Sequence, residues 1–412
     1  MAHGSNLIIG LDIGTTKIST VVAEIDRESR SLRVIGIGHA ASQGLRKGVV
    51  VDMEKAVGAI TRSVEDAEKM ANVEIHSVFA GITGGHVKSF NSRGVAAVGE
   101  GGEIVQKDVD RAVAAARAVS LPADREILHT IPQEFTVDGQ AGIKEPAGMS
   151  GVRLEAEAHI ITGTITAAQN IIKAINKAGF EVEDIVLGSL ASSIAVLSED
   201  EKNSGVLLLD IGGGTTDFVA FHRGCIRQSS VIAVGGDHVT NDLTVALRVP
   251  IPLADEIKQA YGSAMEERVD PEEEIEIPPS AGRGAARYSR RELARVIELR
   301  MHEILSLVRR QVDRSGLRRL MAAGVVLTGG GALTDGIVEL AGKVFDLPVR
   351  IGKPAEISGI SEALDSPLYA TGAGLALYGQ RVRREGKPSR FKRRGRIARG
   401  AERIREWLGS KF

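Results

Sequence analysis

Two periodicities of apolar residues alternate along the chain and set out a mixed α/β protein. Leu7–Glu24 reads LIIGLDIGTTKISTVVAE, and Gly205–His222 reads GVLLLDIGGGTTDFVAFH. Each begins as an apolar run ending in Leu-Asp-Ile-Gly, passes a Gly/Thr-rich turn, and resumes with alternating β-branched residues, the pattern of a β-hairpin. Similar hairpins 198 residues apart, Asp12 to Asp210, predict a duplicated two-lobed fold with a cleft between the lobes. Between them Lys55–Met70 and Thr166–Ala178 switch to helical spacing, while Ser77–Ala80 and Glu183–Leu187 read as short strands. Further on, Arg291–Asp313 and Asp335–Phe345 read as helices and Ala322–Thr328 as a buried strand.

Three stretches depart from that rhythm. Residues 85–162 hold a strand (Val87–Val98), a helix (Gln106–Val119), three more short strands and a Gly/Pro-rich loop, Asp138–Gly151; this predicts a separate small α/β subdomain. Gly262–Arg290 is charge-segregated, acidic over Glu266–Glu276 and basic over Arg283–Arg291 around Pro278-Pro279, so a flexible hairpin or partly ordered loop is expected there, not packed core. Arg381–Gly395 is basic and turn-rich like a linker, and Ile397–Phe412 follows as an isolated amphipathic helix. The expected division is a first lobe at 1–84 and 163–196, an insert at 85–162, a second-lobe core at 197–228 and 312–380, and its outer part at 229–311. A linker at 381–396 and a terminal helix at 397–412 complete it.

Length, composition and charge sharpen this picture. A chain of 412 residues exceeds what one hydrophobic core usually supports. Aromatics make up only 3%, so the core must rest on Val, Ile, Leu and Ala. The single cysteine, Cys225, rules out an internal disulfide and fits a reducing cytosol; it reads as a small buried residue, not a nucleophile. The N-terminus runs straight into a strand with no signal-peptide pattern, and no apolar run approaches the ~20 residues of a spanning helix, so any membrane contact is expected to be peripheral. The net charge of −1 conceals an asymmetry: residues 381–412 carry 13 Lys or Arg against 3 Asp or Glu, leaving 39 against 50 elsewhere. A basic tail on an acidic body is built to meet an anionic surface.

The two hairpin turns carry the candidate chemistry. Triphosphate binding needs unobstructed backbone N–H groups, hydroxyl donors and a carboxylate that holds Mg²⁺ through its waters. The first turn offers Asp12, Gly14, Thr15, Thr16 and Lys17; the second offers Asp210, Gly212, Gly213, Gly214, Thr215 and Thr216. Either alone reads as an ordinary glycine turn, but two matching copies favour the phosphate reading. A Rossmann loop is excluded because Thr216–Ala220 continues as strand, and a P-loop because Ile18 follows Lys17. A third element, Val325–Ala332, runs from a strand into Gly329, Gly330 and Gly331 and then a helix, where a base or ribose can lie against backbone. The nine histidines show no metal-ligand spacing, and His159 in its apolar strand reads as structural.

In this order the three segments resemble the actin, heat-shock chaperone and sugar kinase superfamily. The resemblance implies two lobes, each a mixed sheet flanked by helices, closing on Mg-ATP, with Asp12 and Asp210 holding the metal mainly through water. It places Gly235-Gly236-Asp237 at the start of the helix behind the phosphates, and Asp255 and Lys258 against adenine and ribose; the alternative for that pair is a solvated helix face. The insert, with Ile131-Pro132-Gln133-Glu134-Phe135, Gly142–Pro146, Gly151–Leu154, Leu190–Ser193 and Leu293–Arg300, resembles the FtsA family from Leu7 to about Gly379. One departure touches chemistry. Where superfamily members often carry Glu-Pro, this chain has Gly188-Ser189-Leu190, with no carboxylate or amide to orient an attacking water, so hydrolysis is expected to be weak or absent.

The FtsA resemblance implies a protein that polymerises, tethers the tubulin-like FtsZ to the cytoplasmic face of the inner membrane at the division site, and recruits later division proteins. It puts FtsZ docking on 229–311 through basic residues of Arg287–Arg300, with Arg300 first and Arg291 second; a solvated helix face is the alternative. On a helical wheel Ile397, Ala401, Ile404, Leu408 and Phe412 share one narrow sector with Trp407 at its edge, the design of a helix lying in an anionic lipid interface. Docking of that helix on the protein's own body is the alternative. A nucleic-acid reading of its arginines lacks any stacking platform. A metabolic kinase of the same superfamily is the rival function and would need an aspartate base in the cleft, for which no motif stands out. A chaperone would need a peptide-binding domain after the ATPase fold, and only about thirty residues follow it here.

Overall fold

Two sheets of identical topology organise the chain. In the first, β1 (Leu7–Ile13), β2 (Lys17–Ile25) and β3 (Leu32–Ala41) form an antiparallel meander, followed by a small ribbon of β4 (Leu45–Arg46) and β5 (Val49–Val50). β6 (Ser77–Ile82) and β11 (Glu181–Leu187) add in parallel beside β1, giving the order β11-β6-β1-β2-β3. In the second sheet β12 (Val206–Ile211), β13 (Thr216–His222) and β14 (Cys225–Ile232) make the meander, with β17 (Val325–Thr328) and β18 (Val349–Ile351) parallel beside β12. The order β14-β13-β12-β17-β18 repeats the first, and β19 (Ser358–Gly359) returns to pair with β3. The computed structural model describes residues 6–26, 31–99, 101–278, 285–360 and 364–385.

Helices cover both sheets because their apolar stripes match the sheet faces. α1 (Met53–Ala71) starts where the Asp52 side chain accepts from the Lys55 N–H, ends on left-handed Asn72, and buries Ala56, Ala59, Ile60, Val64 and Ala67. α3 (Ile165–Lys177) buries Ala168, Ile171 and Ile175 in the same first-lobe core. Small residues stand in for the missing aromatics by letting backbones approach. α4 (Gly188–Val196) crosses the last described helix, Ala370–Arg384, so closely that a Cβ on Gly374 would sit 1.8 Å from the Ala191 carbonyl oxygen. These two helices form the core between the lobes, together with Ile8, Phe79, Val206 and Val219.

The insert folds as its own unit. β7 (Lys88–Ala97), β8 (Arg125–Val137), β9 (Gln140–Ile143) and β10 (Arg153–Thr164) form an antiparallel sheet in the order β7-β10-β8-β9. α2 (Gln106–Arg117) packs on it around Ile104, Val109, Phe135 and Leu154. β10 runs past residue 162 into the first lobe without a break.

α5 (Glu199–Ser204) leads into β12, and the outer part of the second lobe contains α6 (Gly236–Leu247), α7 (Ile251–Tyr261) and α8 (Arg290–Arg314). β15 (Glu274–Ile277) and β16 (Ala286–Ser289) pair as a hairpin, one of the two forms expected of this segment, but Ile275 and Ile277 are buried in the second-lobe core, where packing was not expected. Their alternation with Glu274 and Glu276 is a strand signal that the surrounding charge obscured. Three boundaries also shift. The cut at 228 falls inside β14, the cut at 311 falls inside α8, and Arg381–Arg384 belong to the last described helix instead of the linker. α9 is shorter than expected, Ile337–Phe345, with a 3₁₀ turn at Gly330–Leu333 before it. The rest of the linker and the amphipathic helix with Ile397, Ile404, Trp407, Leu408 and Phe412 lie outside the described residues. Among the described residues, no helix is long and apolar enough to cross a membrane.

Candidate functional site

The two hairpin turns face each other across a cavity of about 450 Å³. The duplication dictates this arrangement, because each turn sits at the same end of its own sheet and the lobes pack with those ends opposed. Asp12, Gly14, Thr15, Thr16 and Lys17 line one wall; Asp210, Gly212, Gly213, Gly214 and Thr215 line the other. Gly236, Asp255 and Lys258 reach the cavity from α6 and α7, and Gly329, Gly330 and Gly331 from the turn after β17. The residues the sequence proposed for the nucleotide therefore lie in one cleft, except Thr216, which is buried behind it with its Oγ1 donating to the Val234 carbonyl at 2.9 Å. The walls touch: Thr16 Oγ1 donates to Asp237 Oδ1 across the lobes at 3.0 Å, and a Cβ on Gly213 would fall 1.7 Å from Thr16 Oγ1. A side chain at that position would have to push both Thr16 and Asp237 aside.

Charge is concentrated at the base of the cleft. Asp210 Oδ2 accepts from Ser192 Oγ of α4 at 2.6 Å and from Thr371 Oγ1 of the last helix at 3.1 Å. The string Leu190–Ser193 thus serves the site through Ser192. Opposite Asp210 on the hairpin ladder stands a second carboxylate, Asp217, buried at 4% exposure. Its Oδ2 accepts from Thr83 Oγ1 of the first lobe at 2.6 Å, and its Oδ1 is buried without a partner. Burial pushes Asp12 up to about 7; Lys17 opposes this and Asp210 adds to it. Asp217 is likewise pushed to about 7 by burial, with Thr83 opposing and Asp210 adding, and burial raises Asp210 despite its two donors. Lys17 is held below its ordinary range by burial, against the pull of Asp12 and Asp210. Its ammonium donates to the Leu368 carbonyl at 2.8 Å and lies 4.4 Å from the centre of the Tyr369 ring.

The far end of the cleft is more apolar. Val239, Ile297, Met301 and Leu333 line it beside Lys258. Lys258 Nζ donates to Asp255 Oδ1 at 2.6 Å and to Thr240 Oγ1 at 2.7 Å, so the pair is an ordered edge of the cavity instead of a solvated face. The positions of Ile297 and Met301 on α8 could be read as apolar from sequence, but nothing local marks them as facing a cleft.

The arginines proposed for partner binding lie elsewhere on the same outer part. Arg300 makes a two-pronged ion pair with Asp242 of α6 at 2.6 and 3.0 Å and also reaches Glu303. Arg291 donates to Glu266 at 3.3 Å. Reasoning from sequence missed Thr83, Asp217 and Thr371. Asp217 had one available signal, its register opposite Asp210, whereas Thr83 and Thr371 come to the site only through tertiary packing. The gap at Gly188 is real, yet the cleft does hold a carboxylate nearby: a Cβ on Gly188 would sit 3.6 Å from Asp217 Oδ2. Among the described residues, no three Asp, Glu, His or Cys side chains converge closely enough to hold a metal ion directly.

Duplicated meander sheets with opposed glycine turns define an actin-like ATPase fold, and solved structures agree. The chain is similar to the PilM-PilN type IV pilus biogenesis complex, with a TM-score of 0.64 at 16% identity over 90% of this chain and 98% of that one. It is also similar to MreB5 of Spiroplasma citri bound to ADP, with a TM-score of 0.56 at 18% identity over 92% and 98%. Within that class the sequence is more specific. The family model for an SHS2 domain inserted in FtsA matches residues 84–162, and the one for cell division protein FtsA matches 207–374. Cell division protein FtsA of Pseudomonas aeruginosa is 45% identical over 384 residues, 93% of this chain and 92% of that protein. The chain belongs to the FtsA family of cell-division proteins.

Proposed function

We propose that this chain binds Mg-ATP between its lobes, polymerises, tethers FtsZ to the cytoplasmic face of the membrane and recruits later division proteins. The observation that carries the nucleotide reading is the convergence of three glycine-bearing segments on one cleft with three carboxylates at its base, Asp217 buried and Asp12 and Asp210 half-buried. Asp12, Asp210 and Asp217 crowd negative charge into a site where Lys17 is the cation that lines it beside them, and Asp217 Oδ1 has no donor. A divalent cation relieves that crowding. The carboxylates do not converge closely enough to chelate it directly, so they would hold Mg²⁺ through its waters. When bound, Mg²⁺ neutralises phosphate charge. The chain's own part is to cradle the phosphates with the N–H groups of the two turns, place Lys17 beside them, and receive the base against Val239, Ile297 and Met301. The test is ATP affinity with and without Mg²⁺; micromolar binding that collapses on chelation supports the reading, and ADP or ATP binding indifferent to Mg²⁺ overturns the metal assignment.

Membrane attachment rests on the tail, residues 397–412. A lone helix of this length is marginal in water, and an anionic lipid interface would take up the apolar sector that the sequence gives to Ile397, Ile404, Trp407, Leu408 and Phe412. One such helix binds weakly; a filament places many on one surface and multiplies the effective affinity. Trp407 is the sole tryptophan, so its emission reports insertion without a label. Anionic vesicles should shift it to the blue, and Trp407→Glu should leave the full chain in the supernatant, as should truncation after Glu385. A static emission together with a Glu variant that still pellets would remove the tail as the anchor.

FtsZ docking belongs on the outer second lobe, where basic residues of α8 can meet a short acidic tail. Arg300 is already engaged by Asp242 and Glu303, so reversing it also breaks an internal tie. Arg291, held by a single longer contact to Glu266 at 3.3 Å, loses less internal bonding, so Arg291→Glu is the probe of choice. We expect it to weaken binding of FtsZ about tenfold or less, with the difference shrinking as salt is raised; equal binding at low salt places the site elsewhere.

A further inference from the structure

Two of the strings that mark the family, Ile131–Phe135 and Gly142–Pro146, take no part in the nucleotide cleft. They lie instead on a seam between the insert and the second lobe. The insert is rooted in the first lobe by apolar packing, since Leu128 and Ile161 belong to that lobe's core and Ile131 packs against it. Its opposite side meets β14, the edge strand of the second sheet, where apolar packing of Val231 with Val87 and Leu128 and of Ile131 on the cluster holding Ile226 is joined by a row of hydrogen bonds.

An edge strand exposes a row of unpaired carbonyls, and the insert supplies side-chain donors to three of them. Ser89 Oγ donates to the Ser229 carbonyl at 2.6 Å, Asn91 Nδ2 to that of Arg227 at 3.3 Å, and Gln133 Nε2 to that of Ile226. His159, 1% exposed, sits at the centre. Its Nδ1 lies 2.6 Å from Asn91 Oδ1 and its Nε2 2.8 Å from Ser229 Oγ. Both partners are satisfied by a neutral ring that donates from Nδ1 and accepts at Nε2. At the rim Arg227 pairs with Glu134 at 2.9 Å, and Lys144 donates to Asn203 at 3.4 Å.

We propose that the inserted subdomain is a clasp that closes the first lobe onto the second, and that its closure is coupled to nucleotide occupancy of the cleft. The proposal rests on the reading that the cleft binds ATP. Two bridges then join the same two bodies. One is the nucleotide, between the turn at Thr15-Thr16 and the turn at Gly213–Thr215; the other is the seam. They are connected through β13, which begins directly after the second turn and pairs Asp217 with Val231 and Val219 with Ser229 of β14. Whichever bridge forms first fixes the lobes and reduces the ordering left for the second, so each strengthens the other by the same factor. The hydrogen-bonded part of the seam suits this role, because on opening its groups exchange protein partners for water, which costs less than baring a wholly apolar interface.

The experiment uses the full chain with Mg-ATP as the probe, and wild-type ATP affinity is measured first. Amide hydrogen exchange is then followed in segments 86–92 and 225–232, with segment 104–116 inside the insert as the internal control. ATP should slow exchange in both seam segments of the wild type and leave the control unchanged. The double variant Asn91→Ala/Gln133→Ala should exchange faster at the seam, keep its control protection, and bind ATP at least about fivefold more weakly, the lower end of ordinary couplings. Seam exchange indifferent to ATP, or ATP affinity of the variant within twofold of wild type, overturns the clasp while leaving nucleotide binding intact. If the control segment also loses protection, the variant has unfolded the insert; Glu134→Gln, at the rim, then takes its place under the same criteria. A wild type that binds no ATP overturns the cleft reading and the coupling with it.

Discussion

Measured from its own aspartate, each hairpin places glycine at the second position and then diverges. The first carries Thr15, Thr16, Lys17 and, opposite Asp12, Ser19; the second carries Gly213, Gly214, Thr215 and, opposite Asp210, Asp217. The backbone scaffold is the same, and the division of labour lies in the side chains. The first hairpin brings a cation within reach of its own carboxylate. The second gives up side chains at two positions to let the first hairpin's threonines close over it, and concentrates two carboxylates with no cation of its own. Duplication therefore supplied the geometry of a phosphate cleft, while asymmetry between the copies supplied its electrostatics.

The sharpest way to break this comparison is at the third position of the turns. Gly213→Val drives a side chain into Thr16 and Asp237, whose nearest atoms lie 1.7 and 2.9 Å from the added Cβ. ATP affinity should fall about 100-fold or more, equivalent to ~2.7 kcal/mol. The matching change in the first turn, Thr15→Ala, removes one hydroxyl that accepts from the Gly48 N–H at 3.1 Å and should cost about threefold or less. Equal losses from the two variants would mean that the turns are not specialised; titration calorimetry on both decides.

Much of this site was legible before any coordinates, and the reason is local. A glycine turn between two strands is written into contiguous residues, so the cradle from Asp12 to Lys17 and from Asp210 to Thr215 could be read directly, as could the two-lobed fold that their repetition implies. What stayed hidden depends on contacts between distant segments. Thr83 and Asp217 are 134 residues apart, and Thr371 meets Asp210 across 161. Gly188 correctly signalled a missing carboxylate in its own segment but could not show that Asp217 fills the space in front of it. A hairpin around Ile275 and Ile277 was among the expectations, but their packing into the core was hidden for a different reason, since flanking acids outweighed a four-residue alternation. Arg300 read as a free basic residue because its partner, Asp242, lies 58 residues earlier on another helix.

A smaller effect separates the positions facing the two aspartates. Asp217→Asn removes one carboxylate from the charge that would hold the metal waters, at nearly constant volume. The Mg²⁺ concentration needed for half-maximal ATP binding should rise about tenfold, the usual scale for outer-sphere partners of a metal. Ser19→Ala, at the equivalent place in the first hairpin, deletes a buried hydroxyl that has no hydrogen-bond partner and should leave the Mg²⁺ requirement unchanged. If Ser19→Ala moves the requirement as far as Asp217→Asn does, the ion is shared equally by the hairpins.

The smallest effect is on stability in the absence of nucleotide. Asp12 and Asp217 retain their protons up to about pH 7 in the folded chain, against an ordinary value of 3.8 for an aspartate in an unfolded chain. Between those limits the folded state binds more protons than the unfolded state, so stability falls as pH rises. The contribution is fully present below about pH 3.8 and lost as pH climbs through about 7. Nucleotide-free protein should accordingly melt at a higher temperature at pH 5.5 than at pH 8. Other groups titrate in the same interval, so the absolute slope proves little, but they are common to all variants and cancel in a comparison. Asp217→Asn should flatten the slope by removing one of the carboxyls whose proton is held in the folded state, and Ser19→Ala should leave it as in the wild type. Saturating Mg-ATP should flatten it further, because a bound cation favours the ionised carboxylates and lowers their affinity for protons. Identical slopes for wild type and Asp217→Asn would show that this carboxylate titrates normally, and the charge crowding ascribed to the second hairpin would lose its basis.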